Sequence, residues 1–149
     1  MIDNLGDRMK DYENRTRYLL PRRQYILLRL DGKAFHTYCR GMEKPFDLNF
    51  VEAMNETAKA LCANNIFSGI EFAYIQSDEI TILLTDFKRT KTQAAFDYNL
   101  QKLVSISASI TAANFLYYRM QTLGDERIAG FDSRAWPLAD PFEVENNFI

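Results

Sequence analysis

One short apolar run near the start of the chain constrains the fold more than any other feature. Residues 24–30 are Gln-Tyr-Ile-Leu-Leu-Arg-Leu, and Asp31-Gly32 follows them directly. A nearly continuous apolar run of this length, closed by a turn dipeptide, is typical of a buried central strand of a sheet. We therefore expect a sheet whose central strand ends at Asp31.

Two longer segments predict the main helices. From Phe50 the apolar positions recur every three or four residues to about Asn64-Asn65, which predicts an amphipathic helix. Residues 94–120 contain no Gly or Pro, which favours one long helix. A shorter polar helix is predicted for residues 7–18, with Pro21 as the residue that stops it.

The remaining apolar segments are short and predict three more strands, at residues 70–75, 80–84 and 131–138. The order strand, helix, strand, strand, helix, strand is the split βαβ order of ferredoxin-like folds. Right-handed crossovers then give an α+β domain in which both main helices lie on one face of an antiparallel sheet. Because the sequence shows no repeat or linker, we expect residues 1–149 to form a single domain.

This topology brings together acidic residues that are far apart in the sequence. The third strand lies beside the first and runs antiparallel to it, so Asp31 is expected beside Asp78 and Glu79. Carboxylates in close contact repel each other, and hard divalent ions such as Mg²⁺ accept them together with backbone carbonyls and phosphate oxygens. An Asp at a strand end is also common as a turn residue that bonds its own backbone, and the sequence leaves both interpretations open.

The segment after the first strand could bind an anion, since the backbone N–H groups of Gly32–His36 could wrap a triphosphate. It has one Gly and lacks the GxxxxGK[ST] pattern, so it is not a P-loop. His36 is the only histidine of the chain, which excludes a histidine cluster around a metal. Taken one at a time, Lys44, Ser77 and Lys102 are uninformative.

Composition limits the class of protein. The 149 residues, 47% of them hydrophobic, supply the core of one globular domain. We expect no membrane span and no signal peptide, and Cys39 and Cys62 fit reduced thiols, so the expected location is cytoplasmic. The net charge of −2 argues against a surface that attracts nucleic acid as a whole, although basic residues cluster in residues 15–23 and 88–91.

Several short motifs occur in order along nearly the whole chain. They are residues 6–13 (GDRMKDYE), residues 29–36 (RLDGKAFH), Lys44-Pro45 with Asp47, residues 76–79 (QSDE), Lys102, and residues 131–134 (FDSR). Together they resemble the tRNA-histidine guanylyltransferase superfamily, which includes 3′-to-5′ polymerase-like members that repair tRNA.

The resemblance implies a palm-like catalytic domain, similar to that of polymerases and nucleotide cyclases. It also implies a Mg²⁺-dependent nucleotidyltransferase that adds guanosine or other nucleotides to the 5′ end of a tRNA, opposite to ordinary polymerisation. A 5′-monophosphate would first be activated by ATP or GTP, and the 3′-hydroxyl of an incoming GTP would then attack the activated phosphate. The implied partners are tRNA, GTP and ATP, and we expect the chain to form a homo-oligomer.

The resemblance also assigns roles by matched position. Asp31 and Asp78 would be catalytic and hold two Mg²⁺ ions, with the Gly32 carbonyl as a further ligand and Glu79 supporting that site. The remaining matched residues would bind the nucleotide: Lys33, Ala34, Phe35 and His36 around the triphosphate, with Lys44, Asp47, Ser77 and Lys102 nearby.

The chain departs from the family pattern in two places. Asn99 stands where members usually have an Arg one helical turn before the matched lysine. The His-Ile-Asn-Asn motif and the later helices of the family are absent from these 149 residues, so we expect a palm without the family's C-terminal region. Two alternatives follow. One is a nucleotide-cyclase-like palm, which the lack of a Gly-Gly-Asp-Glu-Phe-like turn disfavours; the other is a truncated palm that binds nucleotide or RNA without completing the chemistry.

Overall fold

The computed structural model describes residues 4–63 and 65–149. Its α-helices and β-strands in chain order are α1 (Leu5–Asn14), β1 (Tyr25–Gly32), α2 (Phe35–Tyr38), α3 (Leu48–Ala63), β2 (Ile70–Gln76), β3 (Glu79–Leu84), α4 (Leu100–Leu123), β4 (Phe131–Leu138) and α5 (Pro141–Asn146). Asn64, near which we expected the amphipathic helix that begins at Phe50 to end, lies outside the described residues. Within the described ranges, no helix has the length and apolar character needed to cross a membrane.

The four strands form one antiparallel sheet in the order β2-β3-β1-β4. β1 is central, and its last residues pair with the first residues of β3 and β4. α3 and α4 pack against each other, and they cover the same face of the sheet through contacts with β2 and β4. The predicted α+β fold with a split βαβ order is therefore confirmed.

The alternation of side chains along β1 explains its apolar run. Ile26, Leu28 and Leu30 point into the core beneath the two long helices. Leu27 lies on the opposite face, where it packs with Leu83 and with Val144 of α5. Because both faces of β1 are covered, consecutive residues of this strand are apolar. The same alternation places Asp31 on the face opposite the long helices.

Pairing between distant segments makes two helices shorter than predicted. The Leu20 N–H donates to the Tyr98 carbonyl and the Leu100 N–H donates to the Tyr18 carbonyl, both at 2.9 Å. These bonds require extended backbone at residues 18–20, so α1 ends at Asn14 rather than near Tyr18. They also delay the start of α4, whose first turn is capped by the Asn99 side chain.

Candidate active site

The end of β1 meets the starts of β3 and β4 at one edge of the sheet. Asp31 lies opposite Glu79 on one side and opposite Asp132 on the other. Asp78 precedes Glu79 in the turn between β2 and β3, and its carbonyl accepts the Gly32 N–H at 3.1 Å. The predicted meeting of Asp31 with Asp78 and Glu79 is observed. We call Asp31, Asp78, Glu79 and Asp132 the acidic edge.

The four carboxylates of the acidic edge differ in how they are neutralised. Glu79 lies 3.1 Å from the Arg29 Nε, and Asp132 lies 3.2 Å from the Arg134 Nε. Within the described residues, neither Asp31 nor Asp78 takes part in a salt bridge; the Ser77 hydroxyl donates to Asp78 at 3.1 Å. Two carboxylates of the edge therefore keep an uncompensated charge.

The crowding at this edge changes the acidity of Asp31. Burial raises the pKa of Asp31 above its ordinary value, and the negative charges of Asp78, Asp132 and Glu79 raise it further. Nearby Arg134 lowers it, but this smaller effect leaves the pKa raised. A cation bound here would remove this repulsion.

The chemistry of the available donors fits a magnesium ion. Asp31 and Asp78 supply carboxylate oxygens. The Gly32 carbonyl is a further donor, since Gly32 follows Asp31 directly and its N–H is bonded to the Asp78 carbonyl. No group of three or more His, Cys, Asp or Glu side chains converges into a metal cage in the part of the chain that the structure describes. Mg²⁺ is commonly bound by one or two carboxylates and completed by water and substrate phosphates, and this is the donor set that the edge offers.

The segment after Gly32 presents backbone donors beside the acidic edge. Ala34 is in the left-handed conformation, with φ of 56°. The N–H groups of Ala34, Phe35 and His36 donate to no acceptor within residues 4–63 and 65–149. Successive N–H groups around a left-handed residue form a concavity that can bind an anion, and we call the N–H groups of Ala34, Phe35 and His36 the anion site. The side chains of Lys33 and His36 are exposed next to it.

Phe35 belongs to the core, so only its backbone faces this anion site. Its ring packs against Phe115 and Phe131, with centroid distances of 5.6 and 5.1 Å. The ring also lies against Gly32, where an added Cβ would come within 2.6 Å of it. Glycine at position 32 is thus required by the close approach of this ring.

A cavity of about 600 Å³ adjoins the Asp78 turn. It brings together Lys44, Asp47 and Ser77, three residues that the sequence matched to nucleotide binding. The Asp47 carboxylate accepts the N–H groups of Phe50 and Glu43 at 2.9 and 3.2 Å, and these bonds, that from Phe50 first, lower the pKa of Asp47. Asp47 therefore also fixes the start of α3.

The largely apolar wall of this cavity was not predicted from the sequence. Its other lining residues are Cys39, Met42, Glu43, Pro45, Phe46, Phe50, Val51, Met54, Asn55, Ile75 and Gln76. The wall forms where the loop after α2 folds against α3 and β2, so no periodic pattern marks it. The one available signal is the presence of Phe46 in a polar loop, where it is 73% exposed.

Lys102 lies apart from the other predicted site residues. It is in the first turn of α4, which begins beside residues 18–20 at the end of the sheet opposite the acidic edge. There it lines a separate polar cavity of about 340 Å³ with Arg17 and Asn99. Within one chain, the structure does not bring Lys102 to the acidic edge.

The chain is similar to proteins of one named family. The family model described as tRNAHis guanylyltransferase matches residues 6–139. The tRNA(His) guanylyltransferase of Debaryomyces hansenii is 37% identical over 133 residues, which are 85% of this chain and 47% of that protein. The chain therefore spans less than half of the length of that relative.

Two solved structures resemble the chain over nearly its whole length. A bacterial tRNA(His) guanylyltransferase (Thg1)-like protein in complex with ATP is 45% identical, with a TM-score of 0.92, and the match covers 97% of this chain and 62% of that one. The complex of such a protein with GTP has the same identity and TM-score, and the match covers 68% of that chain.

Proposed function

The chain belongs to the tRNAHis guanylyltransferase family, and from this premise we propose that residues 1–149 form a palm-like catalytic domain that transfers a nucleotide to the 5′ end of a tRNA. The observation that carries the proposal is the meeting of two uncompensated carboxylates, Asp31 and Asp78, beside an anion site and a cavity. Similar residue types occur in many sites, but this combination has the charge pattern that nucleotidyl transfer needs.

The charge balance supports a divalent cation. Both the edge carboxylates and a triphosphate are negative, so the two can lie side by side only with cations between them. We propose two Mg²⁺ ions held by Asp31, Asp78 and the Gly32 carbonyl; when bound, they would neutralise phosphate charge and activate an attacking hydroxyl. Glu79, which is held by Arg29, would support Asp31 from the adjacent strand.

The nucleotide would occupy the space between the anion site and the cavity. The N–H groups of Ala34, Phe35 and His36 would bind triphosphate oxygens, and Lys33 would add positive charge. Lys44, Asp47 and Ser77 would contact the nucleotide from the cavity, whose apolar wall suits a base. The ATP and GTP complexes of the bacterial Thg1-like protein support nucleotide binding by this chain through similarity.

The proposed reaction has two steps. The 5′-monophosphate of the tRNA attacks the α-phosphorus of ATP or GTP, and pyrophosphate leaves. The 3′-hydroxyl of an incoming GTP then attacks the activated 5′-phosphate, and the nucleoside monophosphate leaves. In both steps the chain binds and orients phosphates, since this transfer needs little other chemistry from a protein.

Two further proposals concern the assembly and its location. A role for Lys102 in nucleotide binding requires a second copy of the chain, which is consistent with the expected homo-oligomer. We also propose a cytoplasmic location, because Cys39 and Cys62 are free thiols that need no oxidising compartment.

A transfer assay tests the proposal. The chain is incubated with Mg²⁺, GTP, ATP and a 5′-monophosphorylated tRNA that lacks its first nucleotide. We expect extension of the 5′ end by the wild type and by Asp86→Asn, a variant at the opposite end of the sheet, but none by Asp78→Asn. Mg²⁺-dependent GTP binding without extension would instead favour a palm module that binds nucleotide without full catalysis, and the lack of both would contradict either function.

A further inference from the structure

A cluster of ion pairs lies behind the anion site, where α4 ends. Arg127 donates from Nε and Nη2 to the two carboxylate oxygens of Asp125, at 3.0 and 2.9 Å. Arg119 donates from Nη2 to the same carboxylate at 2.8 Å. The side chains of Arg119 and Asp125 are only 5% and 12% exposed. We call these three residues the Asp125 cluster.

The Asp125 cluster holds Tyr38, the last residue of α2, in three ways. The Tyr38 hydroxyl donates to Asp125 at 3.3 Å, and Arg127 Nη1 donates to the Tyr38 carbonyl at 3.0 Å. The Arg127 guanidinium also lies over the Tyr38 ring, 4.6 Å from its centroid. The loop that carries Asp125 holds the segment at its other end too, because the Gly130 carbonyl accepts the Lys33 N–H at 2.8 Å.

Because α2 is so short, it depends on these contacts with the Asp125 cluster. A helix of four residues does not persist without external contacts, because its few hydrogen bonds do not offset the conformational entropy lost in forming the first turn. The Phe35 ring anchors the start of α2 in the core. At the other end of α2, the ring of Tyr38 contacts Phe35 and Phe115. The hydroxyl and carbonyl groups of Tyr38 are bonded to the Asp125 cluster.

The cluster is better suited to fixing geometry than to adding stability. Removing charged groups from water costs energy that their ion pairs repay only in part. Arg119 shows this cost, since its buried Nε has no hydrogen-bond partner within the described residues. The two-point bond between Arg127 and Asp125, in contrast, fixes both side chains in one orientation. The hydrogen bonds from Arg127 hold the pKa of Asp125 well below its ordinary value, so the cluster stays charged near neutral pH.

We propose that Asp125 is a positioning residue, which fixes α2 through Tyr38 and thereby holds the N–H groups of Ala34–His36 in the arrangement that binds a triphosphate. This inference rests on the proposed function. It assigns no contact between Asp125 and the nucleotide; the effect passes through Tyr38 and the backbone of α2. Preorganised donors bind more tightly because no ordering cost is left for the binding step.

The chain offers a matched control. Asp86 is fully buried and accepts from the Arg22 Nε at 2.6 Å and from the Arg23 N–H at 2.8 Å. It is thus a second aspartate held by arginine residues, but it lies just after β3 ends, at the opposite end of the sheet from α2. Asp86→Asn removes the same charge as Asp125→Asn without touching the anion site.

The experiment compares the wild type, Asp125→Asn and Asp86→Asn in the 149-residue chain. Amide hydrogen exchange is followed in peptides that cover residues 32–39, and the Kd values of GTP with Mg²⁺ and of guanosine are measured. For Asp125→Asn we expect exchange in this segment about tenfold faster and a Kd for GTP about tenfold higher, with that for guanosine unchanged. Asp86→Asn should lower the Tm and leave all three readouts at the wild-type values.

Arg127→Gln provides a second variant if Asp125→Asn folds poorly. Its side chain is 53% exposed and Arg119 still pairs with Asp125, so the fold should tolerate the change while the hold on Tyr38 weakens. Unchanged hydrogen exchange at residues 32–39 in these variants would overturn the inference. Equal losses of affinity for GTP and for guanosine would also overturn it. If the wild type does not bind GTP, the proposed function fails, and the exchange data alone decide whether Asp125 fixes α2.

Discussion

The two ends of the sheet carry aspartates in opposite electrostatic states. At the end where β1 begins, the buried carboxylate of Asp86 accepts hydrogen bonds from the Arg22 side chain and the Arg23 backbone. At the acidic edge, Asp31 and Asp78 take part in no salt bridge within the described residues, and burial together with neighbouring acids raises the pKa of Asp31.

We propose that this difference separates charges that stabilise the fold from charges that bind a ligand. A buried carboxylate without a partner is costly, so a structural one is usually satisfied by the protein itself, as Asp86 is. Carboxylates that are crowded and left unpaired at a strand end indicate a site where an external cation completes the balance. Substitutions at the two ends of the sheet test this distinction, and the expected change in free energy is largest for Asp78→Asn and smallest for Asp31→Asn.

Asp78→Asn should have the largest effect, on binding rather than on folding. Removing a carboxylate from the proposed cation site should weaken Mg²⁺-dependent GTP binding by more than about 100-fold, because even an indirect partner of a metal ligand is worth 10- to 100-fold. Titration calorimetry with Mg²⁺ and GTP measures this. An affinity close to that of the wild type would show that the acidic edge does not hold the cation.

Asp86→Asn should show the reverse pattern. It replaces charge-assisted hydrogen bonds in a fully buried place, so the free energy of unfolding should fall by about 2 kcal/mol. Urea denaturation measures this loss, and the Tm should fall by roughly 4–8 °C. A parallel loss of GTP affinity, measured well below the Tm, would mean that the two ends are not independent.

Gly32→Ala should affect both folding and binding. Its Cβ would lie 2.6 Å from the Phe35 ring, and moving this ring should cost about 1.5 kcal/mol of unfolding free energy. The displaced backbone should also weaken GTP binding. Gly130→Ala is the matched control, since its Cβ would be in ordinary contact with Lys33 at 3.7 Å, and its cost should stay below about 0.5 kcal/mol. Equal costs for the two variants would contradict the close packing at Gly32.

Asp31→Asn should have the smallest effect on folding, and a stabilising one. A raised pKa means that the folded state disfavours the ionised carboxylate, so at neutral pH Asp31 lowers the stability of the free protein. Its replacement should raise the free energy of unfolding by about 0.5 kcal/mol at pH 7. This gain should shrink as the pH falls through the folded pKa and vanish below the unfolded value. Denaturation of both proteins from pH 7 to pH 3 checks the sign, and a loss of stability at pH 7 would refute it.

The sequence predicted the features that depend on strand order. Antiparallel pairing of β1 and β3 follows from the element pattern alone, and it brings Asp31 to Glu79. Features that arise from contacts between distant segments left no local signal. The pairing of residues 18–20 with 98–100 makes α4 begin later than the sequence predicts. The same region holds Lys102 away from the acidic edge.

The Asp125 cluster and the position of Asp132 show the same limit. Asp125 lies in a charged loop that resembles any solvated turn, and only the fold brings Tyr38 to it. Asp132 belongs to a matched motif, but its place opposite Asp31 depends on the register of β4, which a weak strand pattern does not define.

The most direct test of the account is the Tm of the wild type and of Asp31→Asn, each measured without ligand and with saturating Mg²⁺ and GTP. A ligand that binds only the folded state stabilises it in proportion to the logarithm of its concentration over Kd. The account predicts a reversal: Asp31→Asn is the more stable protein without ligand, and the wild type is the more stable one with it. An equal rise in Tm for both proteins would contradict the claim that the unpaired carboxylates of the acidic edge hold the cation that binds the triphosphate.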